Sequence, residues 1–240
     1  MGLFSTVLHI YKRSQTDTVN ELIKELQEDR ELTKFSRLDI DSRNIEKVIQ
    51  DVYEKYGVCY LVTPLIGDWI TIVEINVKLD NPFYLYDLTN PISKRLATYA
   101  LSFHLHDDDI LLFNLDKEGN SIDGYNSNYQ YFLTEPVDKE EVISQRHLPE
   151  AFVDLLPPTK KSEQLNSILN EGYWNAFDNN DLDEDGVPNG DKYFIDEQDR
   201  FERVGKYLEI YSKDDYPFAD WFSNLTKLNL SDCYLLLSAR

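Results

Sequence analysis

The amino-acid sequence predicts an α+β fold: a mostly antiparallel sheet with packed helices and a smaller, mainly helical C-terminal part. Three observations predict it. Short β-rich runs, bounded by Pro, Gly and Asp turns, recur through the first 156 residues. Runs with apolar residues three and four apart are interleaved with them, as amphipathic helices require. The word "LLPPTKK" then sets two prolines against two lysines and marks a linker over 157–161, after which the periodicity is chiefly helical. The organisation read from this is a unit over 1–156 and a subdomain over 162–240, which carries an acidic loop over 178–199 and packs on the first.

Each element has a local reason. Residues 3–11 alternate as a first strand. Thr18 or Asp17 is placed to cap a helix whose apolar positions are Val19, Leu22, Ile23 and Leu26. A second helix follows Asp41 or Ser42, with Ile45, Val48, Ile49, Val52 and Tyr53 as its stripe and Gly57 as its stop. "VCYLV" is a buried strand, and Pro64 and Gly67 turn the chain into "DWITIVEINVK". There Trp69, Val73, Ile75 and Val77 read as the core face, with Ile70, Ile72, Glu74 and Asn76 on the other. "NPISKRLATYA" is a short helix. "LSFHLH" and "ILLFNL" meet across "DDD" as a hairpin, and "DKEGN" turns into "SIDGYNSNYQYF". "DKEEVISQRHLPEAFVDLL" reads as helical. "SEQLNSILNEGYW" is an amphipathic helix with Ser162 as its cap, and "EQDRFERVGKYLEIY" carries Phe201, Val204, Tyr207 and Leu208 at helical spacing. The last apolar run, "LNLSDCYLLL", reads as a strand.

Composition bounds the partners. The chain has 240 residues, enough for a sizeable core, and 16 Tyr, 12 Phe and 3 Trp argue against disorder. Its 24 basic and 44 acidic residues give a net charge of −20. That balance disfavours nucleic acid, whose phosphates need clustered Lys and Arg, and disfavours anionic membranes. A basic protein partner, a cation or simple solubility remains as the explanation of the charge. The two cysteines, Cys59 and Cys233, lie in apolar runs and read as reduced core thiols. "MGLFST" fits a loose acylation pattern but reads better as strand. With no signal peptide and no membrane span, the expectation is a cytosolic protein.

The words "MGLFSTVLHIYK", "YLVTPLIGDWITIVE", "LHDDDILLFNLDKEGNSIDGYNSNYQYF" and "GYWNAFD…LDEDGVP", in that order, resemble a widespread set of bacterial proteins to which no activity is assigned. The resemblance spans about two thirds of the chain and rests on word order. It implies a bacterial cytosolic protein and carries over no catalytic residue.

Three groups of residues carry chemistry. In "DLDEDGVPNGDK", Asp181, Asp183, Asp185 and Asn189 fall at ligand positions 1, 3, 5 and 9 of a calcium loop, with the Val187 carbonyl at 7 and Gly186 at the turn. Position 12, which takes a clamping Glu, is Lys192, and Asp191 stands one residue early. The expectation is Ca²⁺ binding of roughly 10⁻⁴ to 10⁻³ M at best. In "HLHDDD", His104 and His106 share a strand face near Asp108, and Glu74 sits on a neighbouring strand, with His147 or His9 as a third imidazole. That is a geometry for a metal-dependent hydrolase. In the aromatic block, Tyr125, Tyr129 and Tyr131 fall near Trp69 in sheet order and read either as a protein-recognition surface or as an ordinary sheet core whose hydroxyls reach water. The chain has no Gly-rich phosphate loop and no nucleophile elbow. The reading that follows is a non-enzymatic protein-binding module, immunity-like or regulatory, with a basic protein partner and no cofactor beyond weak Ca²⁺. The alternatives are the His104/His106/Asp108 hydrolase and a weak calcium-binding module.

Overall fold

The strands come first, because their order decides what every helix covers. The computed structural model describes residues 4–29, 35–38, 56–75, 84–107, 109–129, 139–181, 196–210 and 232–239. The strands are β1 (Phe4–Tyr11), β2 (Phe35–Leu38), β3 (Tyr56–Val62), β4 (Trp69–Ile75), β5 (Tyr99–His106), β6 (Ile110–Lys117), β7 (Asn120–Asn126) and β8 (Tyr234–Ala239). They form one sheet in the order β2-β8-β3-β4-β1-β5-β6-β7, and every neighbouring pair is antiparallel. The α+β class is therefore observed. The last apolar run of the sequence does form a strand, β8, and it lies inside the sheet between β2 and β3. Residues of the segment 162–240 thus belong to the same sheet as residues of the first 156.

Helices cover both faces. One face packs on α1 (Gln15–Asp29), α2 (Tyr84–Asp87) and α3 (Thr89–Leu96). Here Leu8, Ile10, Tyr60, Ile70, Ile72 and Ala100 meet Leu22, Leu26, Leu85 and Ile92 in one apolar cluster. The other face packs on α4 (Lys139–Ser144), a 3₁₀ turn (Val153–Leu155), α5 (Ser162–Asn170), α6 (Tyr173–Asp178) and α7 (Glu197–Tyr207). Its cluster joins Val7, Trp69, Val73, Phe103, Phe113 and Tyr125 to Phe152, Leu169, Trp174, Phe201 and Val204. The expectation of a single core face on β4 is corrected by this arrangement, since Ile70 and Ile72 are as buried as Trp69 and Val73. A sheet sandwiched between two layers loses the in/out alternation of a half-exposed one. Cys233 is a buried free thiol, and burial raises its pKa to about 12.

Several boundaries differ from the sequence reading for identifiable reasons. The cap of α1 is Ser14, not Thr18 or Asp17: Ser14 Oγ accepts from the Asp17 amide at 3.0 Å and donates to its carboxylate at 2.6 Å. Thr18 sits one turn in and returns its hydroxyl to Ser14 O. The helix expected over 42–53 lies outside the described residues, and Gly57 falls within β3. The helical stretch after residue 138 stops at Ser144, and Pro149 further on disfavours helical backbone at Leu148. α5 starts at Ser162, with Lys161 rather than Ser162 in the cap position. At α7, Asp196 caps with its carboxylate, accepting from the Gln198 and Asp199 amides.

Both predicted hairpins form. β5 and β6 pair from Tyr99↔Lys117 to His106↔Ile110 across the aspartate turn. β6 and β7 join through Glu118 and Gly119, at φ 53° and 84°, the two positive values that a type I′ turn demands. A Cβ on Gly119 would lie 2.9 Å from Lys94 Cβ. Gly124, in the middle of β7, is the opposite case: its φ is not positive, and a Cβ there would meet nothing nearer than Asn114 Oδ1 at 3.7 Å. In urea denaturation, Gly119→Ala is expected to cost about 1 kcal/mol or more, whereas Gly124→Ala stays within about 0.5 kcal/mol of wild type.

Candidate functional site

The predicted residues are dispersed by the fold. His104 lies on the α1–α3 face of β5, fully buried, with Nδ1 2.6 Å from Thr6 Oγ1. Burial, with His106 adding to it, lowers its pKa to about 4, so the ring is neutral at pH 7. The His104 and His106 rings are 5.8 Å apart, as same-face neighbours on a strand should be. Asp108 lies outside the described residues. The third imidazoles are elsewhere. His9 points to the opposite face of the sheet, edge-on to Trp69 and Phe103, and burial lowers its pKa to about 3. His147 lies beyond β7, held by Asp123. Among the described residues, no group of three or more His, Cys, Asp or Glu is placed to hold a metal ion.

Of the calcium-loop residues, Asp181 is described: it is half-buried, and its amide donates to Ala176 O at 2.9 Å. Asp183, Asp185, Val187, Asn189 and Asp191 lie outside the described residues. The aromatic surface requires correction. Trp69 and Tyr125 are 1% and 3% exposed, so they are core residues rather than surface contacts. The C-terminal helices cover the face they occupy. Each polar tip satisfies a helix end: Trp69 Nε1 donates to Leu208 O at 3.1 Å and Tyr125 Oη to Leu169 O at 2.7 Å. Tyr129 is half-buried and donates to Glu141. Tyr131 lies outside the described residues.

Sequence reasoning missed a polar joint on the C-terminal side of β7. Arg200, on α7, is buried with its guanidinium among acceptors from three elements. Nη1 donates to Tyr125 Oη and, at 3.1 Å, to Leu169 O; Nη2 donates to Glu171 O at 2.8 Å. Nε forms an ion pair with Glu197 Oε2 at 3.1 Å. Leu169 O is among the last carbonyls of α5, which no helical amide reaches, so Arg200 caps that helix from outside. Arg203 adds a bidentate pair to the Glu171 carboxylate, both contacts 2.6 Å, and this holds the Glu171 pKa below the ordinary carboxylate range.

A second joint ties the chain after α4 to the sheet. His147 Nδ1 is 2.5 Å from Asp123 Oδ2 and Nε2 is 2.8 Å from Asn166 Oδ1, with both the ring and the carboxylate buried. Asp123 Oδ1 also accepts from the Gly124 and Leu148 amides at 2.9 and 3.1 Å. Next to it, Arg146 makes a bidentate pair with Asp178, donates to Asn170 Oδ1, and lies over the Trp174 ring.

These joints frame a cleft of about 380 Å³ on the outer side of β7. Asn114, Gly124 and Asn126 of the sheet line it together with Tyr86 and with Ser144, Gln145, Arg146 and Leu148. Carboxamides and hydroxyls dominate. The two charges on its rim are matched: Arg146 by Asp178, and Asp123 by His147 and two amides. The cleft therefore offers neutral hydrogen bonding rather than acid–base chemistry. No family model, no curated protein and no solved structure matches this chain.

Glu197 gives this region a pH dependence. Burial, opposed by Arg200, raises its pKa to about 7 from 4.5. The folded state then keeps a proton that the unfolded chain releases. That contribution to stability is complete below about pH 4.5 and is lost as pH rises through 7. Relative to Glu197→Gln, the wild type should lose about 1–3 kcal/mol between pH 5 and 8 in urea denaturation. Parallel pH profiles for the two proteins would contradict this.

Proposed function

We propose that this chain is a non-enzymatic protein-binding module, acting in the bacterial cytosol on a basic protein partner. The observation that carries the reading is an apolar set exposed within one short acidic segment. Ile143, Leu148 and Val153 are 50%, 48% and 57% exposed. Glu140, Glu141, Glu150 and Asp154 lie exposed among them. Apolar anchors within a polar rim are the composition of a protein interface. The net charge of −20 steers a basic partner towards it. Among the described residues no helix is long and apolar enough to cross a membrane, in keeping with a partner met in solution. The word-order resemblance to bacterial proteins agrees with the setting.

The test is affinity capture from the native host with wild type and with Leu148→Asp, Val153→Asp. The wild type is expected to recover a basic protein in stoichiometric amount at low salt. The double variant should recover at least tenfold less, and about 0.5 M salt should weaken capture by the wild type. Equal recovery by both proteins would contradict the assignment of the surface, and no stoichiometric partner would contradict the function.

A further inference from the structure

Between Gly124 and Asn126 the outer edge of β7 has a specific pattern of occupied and open backbone groups. Ser127 N donates to Leu111 O, which sets the parity of the β6–β7 ladder. Tyr125 and Asp123 therefore exchange hydrogen bonds with Phe113 and Leu115, while the amides and carbonyls of Gly124 and Asn126 point away from β6. Two of these four outward groups are occupied: Gly124 N–H by Asp123 Oδ1 at 2.9 Å, and Asn126 C=O by Trp174 Nε1 at 3.1 Å. Among the described residues, no hydrogen bond engages the other two, the Gly124 carbonyl and the Asn126 amide.

The pattern of blocking is selective. Antiparallel pairing needs both the N–H and the C=O of one residue, and here each outward residue has lost one of them. Two β7 edges related by a two-fold axis would run antiparallel, so a second copy of the chain is disfavoured. Parallel pairing needs the C=O of one residue and the N–H of the next but one. Those are the two groups left open.

We infer that β7 binds one residue of an extended peptide segment, running parallel to it, through Gly124 C=O and Asn126 N–H. The inference rests on the protein-binding reading above and names how the partner is held. The docked residue donates its N–H to Gly124 O and accepts from Asn126 N. Its next contacts are stopped by Asp123 on one side and Trp174 on the other, which fixes a single register. The residues before and after it place their side chains beside Gly124 and Asn126, over the carboxamides of Asn114 and Asn126, where short polar side chains fit. Gly124 fits the same account. Its backbone angles do not require glycine and the fold has room for a Cβ, so its bareness leaves the edge open to a second backbone.

The probe is acetyl-Ser-Val-Ser-amide, titrated into ¹⁵N-labelled protein and followed by amide shifts. Saturable shifts centred on Gly124 and Asn126 are expected. Replacing the valine N–H by an ester oxygen should weaken binding about tenfold. So should Gly124→Val, which fills the edge, and Asn126→Pro, which deletes the donor on the side away from β6; either variant suffices if the other does not fold. Equal binding of ester and amide, shifts lying outside β7, or no saturation would overturn the inference. Partner capture separates it from the function. If Leu148→Asp, Val153→Asp abolishes capture while Gly124→Val leaves it intact, the protein-binding reading stands and the β7 site falls. If no partner is captured but the peptide binds at β7, the converse holds.

Discussion

The constraint on which the C-terminal half depends is the burial of one guanidinium. Arg200 cannot shed its charge, so every donor it carries needs an acceptor within the protein. The chain supplies acceptors to Nη1 and Nη2 from β7, from the open end of α5 and from the turn after it, while Nε lies 3.1 Å from the Glu197 carboxylate in the first turn of α7 as an ion pair without a hydrogen bond. Such a site adds little net stability, because desolvation of the pair offsets most of its attraction. What it does is penalise alternatives. Slide α5 or α7 by one turn and a buried charge loses its acceptors, at several kcal/mol by order of magnitude.

From that joint the outer architecture follows. Tyr125 is held in the core with its hydroxyl on Leu169 O, so β7 is fixed against α5. Asp123, two residues earlier and on the same face, takes His147 and draws the chain after α4 across the strand edge. That chain forms one wall of the cleft and carries Leu148 out to solvent. The interior strands are held differently. β1, β4 and β5 lie between two apolar clusters, and their hold on α1 to α3 combines the removal of apolar surface from water with polar ties such as the buried Thr89–Ser102 hydroxyl pair.

Much of the fold was legible in the sequence where a local rule decides it. "LSFHLHDDDILLFNL" and "DKEGN" mark their hairpins by alternation and turn chemistry, and both form. What was not legible is long-range. Nothing in "CYLLL" says that it inserts between β2 and β3, since strand order is set by pairings across nearly two hundred residues. The aromatic block failed for a related reason. Alternation showed that Trp69 and Tyr125 face one side of a sheet, but it cannot tell whether that side is later covered by helices. One signal was present and passed over: Glu197 and Arg200 lie on the same helical stripe as Phe201, Val204 and Leu208, so α7 places charges inward. The Asp123–His147–Asn166 chain, separated by 24 and 19 residues, has no local signature at all.

The central claim is that Arg200 holds β7, α5 and α7 together as one unit that presents the cleft and the exposed segment beside it. Hydrogen exchange of Arg200→Lys against wild type tests it most directly, because lysine keeps the charge but cannot reach three acceptors from β7, α5 and the turn after it at once. Protection should fall by about tenfold or more in residues 121–127, 162–178 and 197–207, while β1, β4, β5 and α1 retain theirs. Protection unchanged throughout, or lost evenly across the sheet, would contradict the claim.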